Sequence, residues 1–124
     1  MPNSFGEKLA KVFSSSGQLC IGIDPHSELL DSWGLTEDHR GLERFALSVI
    51  GASQGRVGIV KPQVAFFERF GSKGYSVLER VLNEAQAAGL LVIADAKRGD
   101  IGSTMAGYLE GWFGKTSTMT CDAL

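Results

Sequence analysis

Three observations predict an α/β fold built on a parallel sheet. Amphipathic stretches with a helical period alternate with short, apolar, β-branched runs. Three of those runs end in charge: Asp24 follows residues 19–23, Lys61 follows residues 57–60, and Asp95 and Lys97 follow residues 90–94. The segments between runs are helical, as parallel crossovers require. Such crossovers are right-handed, so all three strand C-termini share one edge of the sheet. In barrels and open α/β sheets alike, that edge is where ligands bind.

The chain has 124 residues, a formal net charge of −2 and 44% hydrophobic residues, enough for one domain with a core. There is no basic excess, so nothing argues for a nucleic-acid partner. Every apolar run is far below the roughly 20 residues that span a bilayer, so no membrane partner is expected. The start, Met1-Pro2-Asn3-Ser4-Phe5-Gly6-Glu7-Lys8, lacks the basic and apolar regions of a signal peptide. Cys20 and Cys121 have no metal-ligand spacing, and a reduced cytoplasmic protein is expected.

In chain order, Phe5, Leu9, Val12 and Phe13 form one apolar stripe and predict a helix over residues 4–15. Ser14-Ser15-Ser16-Gly17 closes it. Leu19-Cys20-Ile21-Gly22-Ile23 reads as a strand with a charged tip, with Cys20 as a small core hydrophobe. The loop over residues 24–35 is longer than an ordinary connection and has room for a short helix around 27–33. Thr36 is a plausible N-cap for a helix whose face is Leu42, Phe45, Ala46, Val49 and Ile50. Residues 51–55 end it. Val57-Gly58-Ile59-Val60 is the second strand, ending in Lys61-Pro62.

A helical segment over residues 63–70 follows, then another from about 75 to 88 that buries Val77, Leu78, Val81, Leu82 and Ala85. Gly89 suits the position just past its end. Leu90-Leu91-Val92-Ile93-Ala94, the most apolar run in the chain, reads as a fully buried strand. A helix is expected from about residue 103 to 113.

Each charge has an ordinary explanation of its own. A charge at a strand end is usually chain emerging into solvent, and Asp24-Pro25 is common turn chemistry. Asp95 and Lys97 could be a structural ion pair, and Asp100 or Ser103 could cap the next helix. His26 is assigned to the surface, His39 looks inert, and Trp33 and Trp112 read as packing residues. Taken jointly, two ammonium groups and two or three carboxylates on one edge suit proton transfer or carbanion stabilisation. The same set would also suit a divalent cation on Asp95 and Asp100, or a Schiff-base lysine. If extended geometry persists past residue 94, Asp95 and Lys97 point to the same side. Asp100 returns there only after a turn, or from another subunit.

The string Asp95-Ala96-Lys97-Arg98-Gly99-Asp100-Ile101-Gly102-Ser103-Thr104 resembles the signature of orotidine 5′-phosphate decarboxylases, whose core is Asp-x-Lys-x-x-Asp. It is most similar to the longer bacterial subgroup. Gly22-Ile23-Asp24-Pro25-His26 and Lys61-Pro62-Gln63-x-Ala65-Phe66-Phe67-Glu68 resemble that subgroup's first two strand ends, so the likeness runs over nearly the whole chain. The wider superfamily shares Asp-x-Lys-x-x-Asp with metal-dependent sugar-phosphate decarboxylases and aldolases. Ile101 and Thr104 are similar to the orotidylate version, which ranks the metal-dependent relatives second.

The resemblance implies the N-terminal portion of a (β/α)8 TIM barrel, about three βα units plus an N-terminal helix. It also implies a homodimer, no cofactor and no metal, and decarboxylation of orotidine 5′-monophosphate to UMP in de novo pyrimidine biosynthesis. Asp24 and Lys61 would contact the substrate ribose and hold the charge network. Lys97 would protonate the ring carbon that loses CO2, and Asp95 would sit near the departing carboxylate. Asp100, with Ile101 and Thr104, would reach the partner's site. An ammonium about 4 Å from a carbanion, at an effective dielectric near 20, supplies on the order of 4 kcal/mol. Flanking carboxylates favour keeping that ammonium protonated. Because a barrel of this kind takes about 250 residues, residues 1–124 are expected to be a partial barrel domain reaching the start of a fourth strand at 119–124. The phosphate site after strands seven and eight would lie beyond it. The segment alone is expected to be inactive, or to be a non-catalytic piece that needs a complementary chain.

Overall fold

Period-two alternation along the strands divides the sheet into two unlike faces. The structure, a computed structural model, describes residues 3–124. Met1 and Pro2, which open the segment read for export features, lie outside the described residues. The elements are α1 (Phe5–Ser16), β1 (Cys20–Ile23), α2 (Ser27–Ser32), α3 (His39–Ser53), β2 (Ile59–Pro62), α4 (Ala65–Glu68), α5 (Gly71–Ala87), β3 (Leu91–Val92) and α6 (Gly102–Phe113). The strands run in the order β1-β2-β3, and both pairings are parallel. Gly22 lies beside Lys61 in the first pair, and Val60 beside Val92 in the second.

On one face, Ile23, Val60, Val92, Ala94 and Ala96 are buried in a core. That core also contains Leu42, Phe45, Ala46 and Ile50 of α3 and Val77, Leu78, Val81, Leu82 and Ala85 of α5. The predicted stripes of α3 and α5 are therefore the buried ones, with Val49 half-buried against the core. Each fully buried large side chain contributes about 1.5–3 kcal/mol, several times an exposed ion pair. The core holds the fold, and the charges are free to serve another purpose. On the opposite face Cys20 and Gly22 are exposed, Lys61 and Ile93 are half-buried, and Ile59 and Leu91 are buried.

Several boundaries differ from expectation for local reasons. Cys20 is exposed rather than a core residue, because its strand position alternates with Ile21 and Ile23, which take the helix-facing side. Both cysteines are free thiols. Asp38, not Thr36, caps α3: its Oδ1 accepts from the Arg40 and Gly41 amides at 3.0 Å, and Thr36 only donates its hydroxyl to Asp38 at 2.7 Å. The helix expected over 63–70 shrinks to Ala65–Glu68, and α5 begins at Gly71 instead of near residue 75. The two helices meet so closely that a Cβ at Gly74 would lie 1.8 Å from the Phe67 carbonyl oxygen. Only glycine permits that approach.

The third strand is short as a regular element, but its line continues through bridges pairing Ile93 with Ala123 and Gln63 with Asp95. The Ala94 amide donates to the Ala123 carbonyl at 2.8 Å, so the last residues run alongside β3. The α1 stripe is not buried: Phe5 and Phe13 remain 38% and 41% exposed. The helix is held by a capping box between Ser4 and Glu7 and by Val12, which occupies the space a Gly58 side chain would need. Trp112 is buried, and Trp33, half exposed, packs tilted against Phe45 with ring centroids 4.6 Å apart, both as packing residues. Among the described residues no helix is long and apolar enough to cross a membrane.

Candidate active site

Each strand delivers its polar residue to the same edge because the parallel register keeps the three C-termini level. Asp95 is the centre. Its Oδ1 accepts from the Lys97 ammonium at 2.7 Å, and its Oδ2 lies 3.5 Å from the Lys61 ammonium. Lys97 also donates to Gln63 Oε1 at 2.9 Å. The hydrogen bond from Lys97, helped by the charges of Lys97 and Lys61 and opposed by desolvation, holds the Asp95 carboxyl below its ordinary range. Lys61, Asp95 and Lys97 line an open pocket of about 300 Å³, together with Ile93, Arg98 and Leu124. A larger pocket of about 430 Å³ lies against α1 and holds the Lys8–Asp122 ion pair, away from this cluster.

Lys97 does not continue the strand. Its φ is 53°, the left-handed region, which costs a non-glycine residue roughly 1–2 kcal/mol. It is the one non-glycine residue with positive φ among the described residues. The expectation that Asp95 and Lys97 face the same side through extended geometry is thus corrected. They meet because the backbone turns and the lysine stem folds back.

Gln63 belongs to the site and was missed as a functional residue. It lies two residues after Lys61, the strand spacing, but the sequence reads as the start of a helix there. Its bridge to Asp95 keeps it in line with the sheet. Arg98 was missed too: it borders the pocket, and its guanidinium donates to the Ala96 carbonyl at 2.6 Å, to Glu68 at 2.9 Å and to the Tyr75 hydroxyl at 3.2 Å.

Asp24 stands apart from the ion network. Its Oδ1 is buried without a hydrogen-bond partner, a costly state unless a ligand or water completes it. The loop after it is pinned by Arg69, which donates to the Pro25 carbonyl at 3.1 Å and to Ser27 and Glu37. His26 caps α2 through Nδ1, as a surface residue. Asp100, Ile101 and Thr104 are all exposed, Ile101 by 85%. Among the described residues Asp100 accepts only from the adjacent Ile101 amide, at 2.7 Å, and neither Asp100 nor Ser103 is the N-cap of α6. Both Asp95 oxygens face ammonium groups, a pattern that favours an anion over a cation. Among the described residues no group of three or more His, Cys, Asp or Glu is placed to hold a metal.

This constellation can hold a protonated lysine beside a carboxylate and an amide, in reach of a ligand on the sheet edge. A family model described as orotidine 5′-phosphate decarboxylase / HUMPS family matches residues 17–123. A Streptomyces coelicolor orotidine 5′-phosphate decarboxylase is 55% identical over 120 residues, covering 97% of this chain and 43% of the relative. A crystal structure from Streptomyces avermitilis superposes with a TM-score of 0.93 at 53% identity, over 98% of this chain and 42% of that one. The Leishmania donovani OMP decarboxylase gives a TM-score of 0.72 at 30% identity, over 90% of this chain and 40% of that one. The chain thus spans less than half the length of these relatives, and its fold is the leading portion of their α/β barrel. With all three strand ends inside the matched region, the chain belongs to the orotidine 5′-phosphate decarboxylase / HUMPS family.

Proposed function

We propose that the complete protein carrying this chain decarboxylates orotidine 5′-monophosphate to UMP, without a cofactor, in de novo pyrimidine biosynthesis. One observation carries this: an ammonium, Lys97, held between Asp95 and Gln63 at the end of a parallel strand, with Lys61 on the other side of Asp95. The bond between the ring carbon and its carboxyl group breaks, CO2 departs, and the electron pair stays on the ring carbon. Lys97 stabilises that charge and then gives it a proton, ending as a neutral amine. Asp95 holds the Lys97 ammonium in place through its hydrogen bond and stands near the departing carboxylate. Asp24, with a buried oxygen still unpartnered, and Lys61 take the ribose.

Residues 1–124 act as part of one barrel domain in a cytoplasmic homodimer. Asp100, Ile101 and Thr104 complete the partner's site, a role their exposure in this chain supports. Later segments of the protein supply the phosphate contacts that anchor the substrate. Substitution Lys97→Ala in the full-length protein is expected to lower kcat by about 10²–10⁴-fold, the range of a general acid. Unchanged UMP formation would sink the assignment. Turnover should be indifferent to a chelator; its loss on chelation would favour the metal-dependent sugar-phosphate relatives.

A further inference from the structure

We propose that Arg98 and Glu68 are positioning residues: they form a clamp that fixes the left-handed backbone of Lys97 and so aims its ammonium. The catalytic consequence rests on the function proposed above; the geometric one does not.

A strained backbone persists only where its surroundings over-determine it. Lys97 is strained, with φ at 53°, and two thirds of its side chain is exposed, so its own packing does not hold it. The residue before it is held. The Asp95 amide donates to the Pro62 carbonyl at 3.1 Å, and the Asp95 carbonyl accepts from Val64 at 3.0 Å. Ala96 is only 5% exposed.

What remains to be fixed is the peptide plane joining Ala96 to Lys97. That plane is rigid and contains both the Ala96 carbonyl oxygen and the Lys97 nitrogen. Holding the oxygen therefore holds the reference for Lys97 φ. Arg98 Nη1 holds it, at 2.6 Å. The same guanidinium is anchored by Glu68 at 2.9 Å and by the Tyr75 hydroxyl at 3.2 Å.

Those anchors sit on firm ground. Glu68 follows Phe67, which is fully buried, and α4 is pressed against α5 at Gly74. A hydrogen bond from a charged donor is stronger than a neutral one, so the Arg98 bond to the Ala96 carbonyl offsets the strain at Lys97. The Glu68–Arg98 pair itself is part-exposed, with side chains 46% and 23% accessible, so as a plain salt bridge it would add little stability. Its value lies in geometry. Guanidinium is suited to this because it binds carbonyl and carboxylate through separate, rigidly spaced N–H groups.

The test uses the full-length protein with Arg98→Ala and Glu68→Ala, following the Asp95 carboxyl by ¹³C NMR titration and turnover by UMP formation. With the clamp gone, the ammonium drifts from Asp95 and the Asp95 midpoint rises in both variants. Glu68→Ala is decisive because its charge effect has the opposite sign. Removing a nearby negative charge alone would lower the Asp95 midpoint, so a rise reports withdrawal of Lys97.

Turnover of Arg98→Ala is expected to fall about ten- to a hundredfold in kcat, with KM changed less than about threefold and an unaltered thermal unfolding midpoint. Millimolar guanidinium should restore part of it. An Asp95 midpoint that stays or falls in Glu68→Ala would overturn the clamp. A rising midpoint with wild-type turnover would keep the clamp and overturn the catalytic role of Lys97.

Discussion

Asp95 and Lys97 are tied to side chains of their own chain, through Lys61 and Gln63, whereas Asp100, Ile101 and Thr104 lie exposed on the same stretch. The only side-chain hydrogen bond of that second set among the described residues is the one from the Ile101 amide to Asp100. Ile101 is the most exposed of the large hydrophobic residues, and the helix it leads, α6, leaves Leu109 and Phe113 exposed as well. One motif thus contains a half whose contacts are satisfied locally and a half that offers its side chains outward. The difference teaches that Asp-x-Lys-x-x-Asp is not a single local device. Its first carboxylate is set by strand register and its lysine by the left-handed turn that follows. Its second carboxylate follows that turn and lies exposed, bonded to the next amide.

The comparison can be broken by substitution in either half of the full-length protein. Beyond the Lys97 variant, Asp100→Ala is expected to give the next largest effect, a kcat loss of roughly 10²-fold. It should leave the Asp95 titration untouched, because Asp100 makes no contact with that carboxyl; a moved Asp95 midpoint would join the two halves into one network. The smallest effect is on stability. Asp95 is held below its ordinary value of 3.8, so its contribution is present above that pH and lost as pH falls through the lower folded value. With its side chain 26% exposed, the amount is below about 1 kcal/mol. Urea unfolding at about pH 5 and about pH 3 should show an acid-side loss that shrinks in Asp95→Asn. An equal loss in both proteins would remove the ion network as its source.

Much of the fold was legible because helix stripes and strand tips are local patterns. Leu42, Phe45, Ala46 and Ile50 announce the buried face of α3, and Leu78, Val81 and Leu82 that of α5. Asp24, Lys61, Asp95 and Lys97 were legible as residues of one edge because parallel crossovers leave no other choice. What escaped depended on contacts between segments. Gln63 stays in line with the sheet because Asp95 lies beside it, which local helix signals do not register. Cys20 is exposed because its neighbours in alternation take the core side. The left-handed turn at Lys97 and the Arg98 clamp are consequences of α4 standing next to the β3 loop. Asp24, expected in the charge network, stands outside it with an unpartnered oxygen.

The proposed split of the motif between two subunits is tested most directly by mixing two inactive full-length variants, Lys97→Ala and Asp100→Ala. If each active site takes Lys97 from one chain and Asp100 from the other, a hybrid dimer has one site with both defects and one intact. Random exchange makes half the dimers hybrid, so activity should recover to about a quarter of wild type. No recovery, with subunit exchange verified by mass, would place Lys97 and Asp100 in the same site and contradict the division.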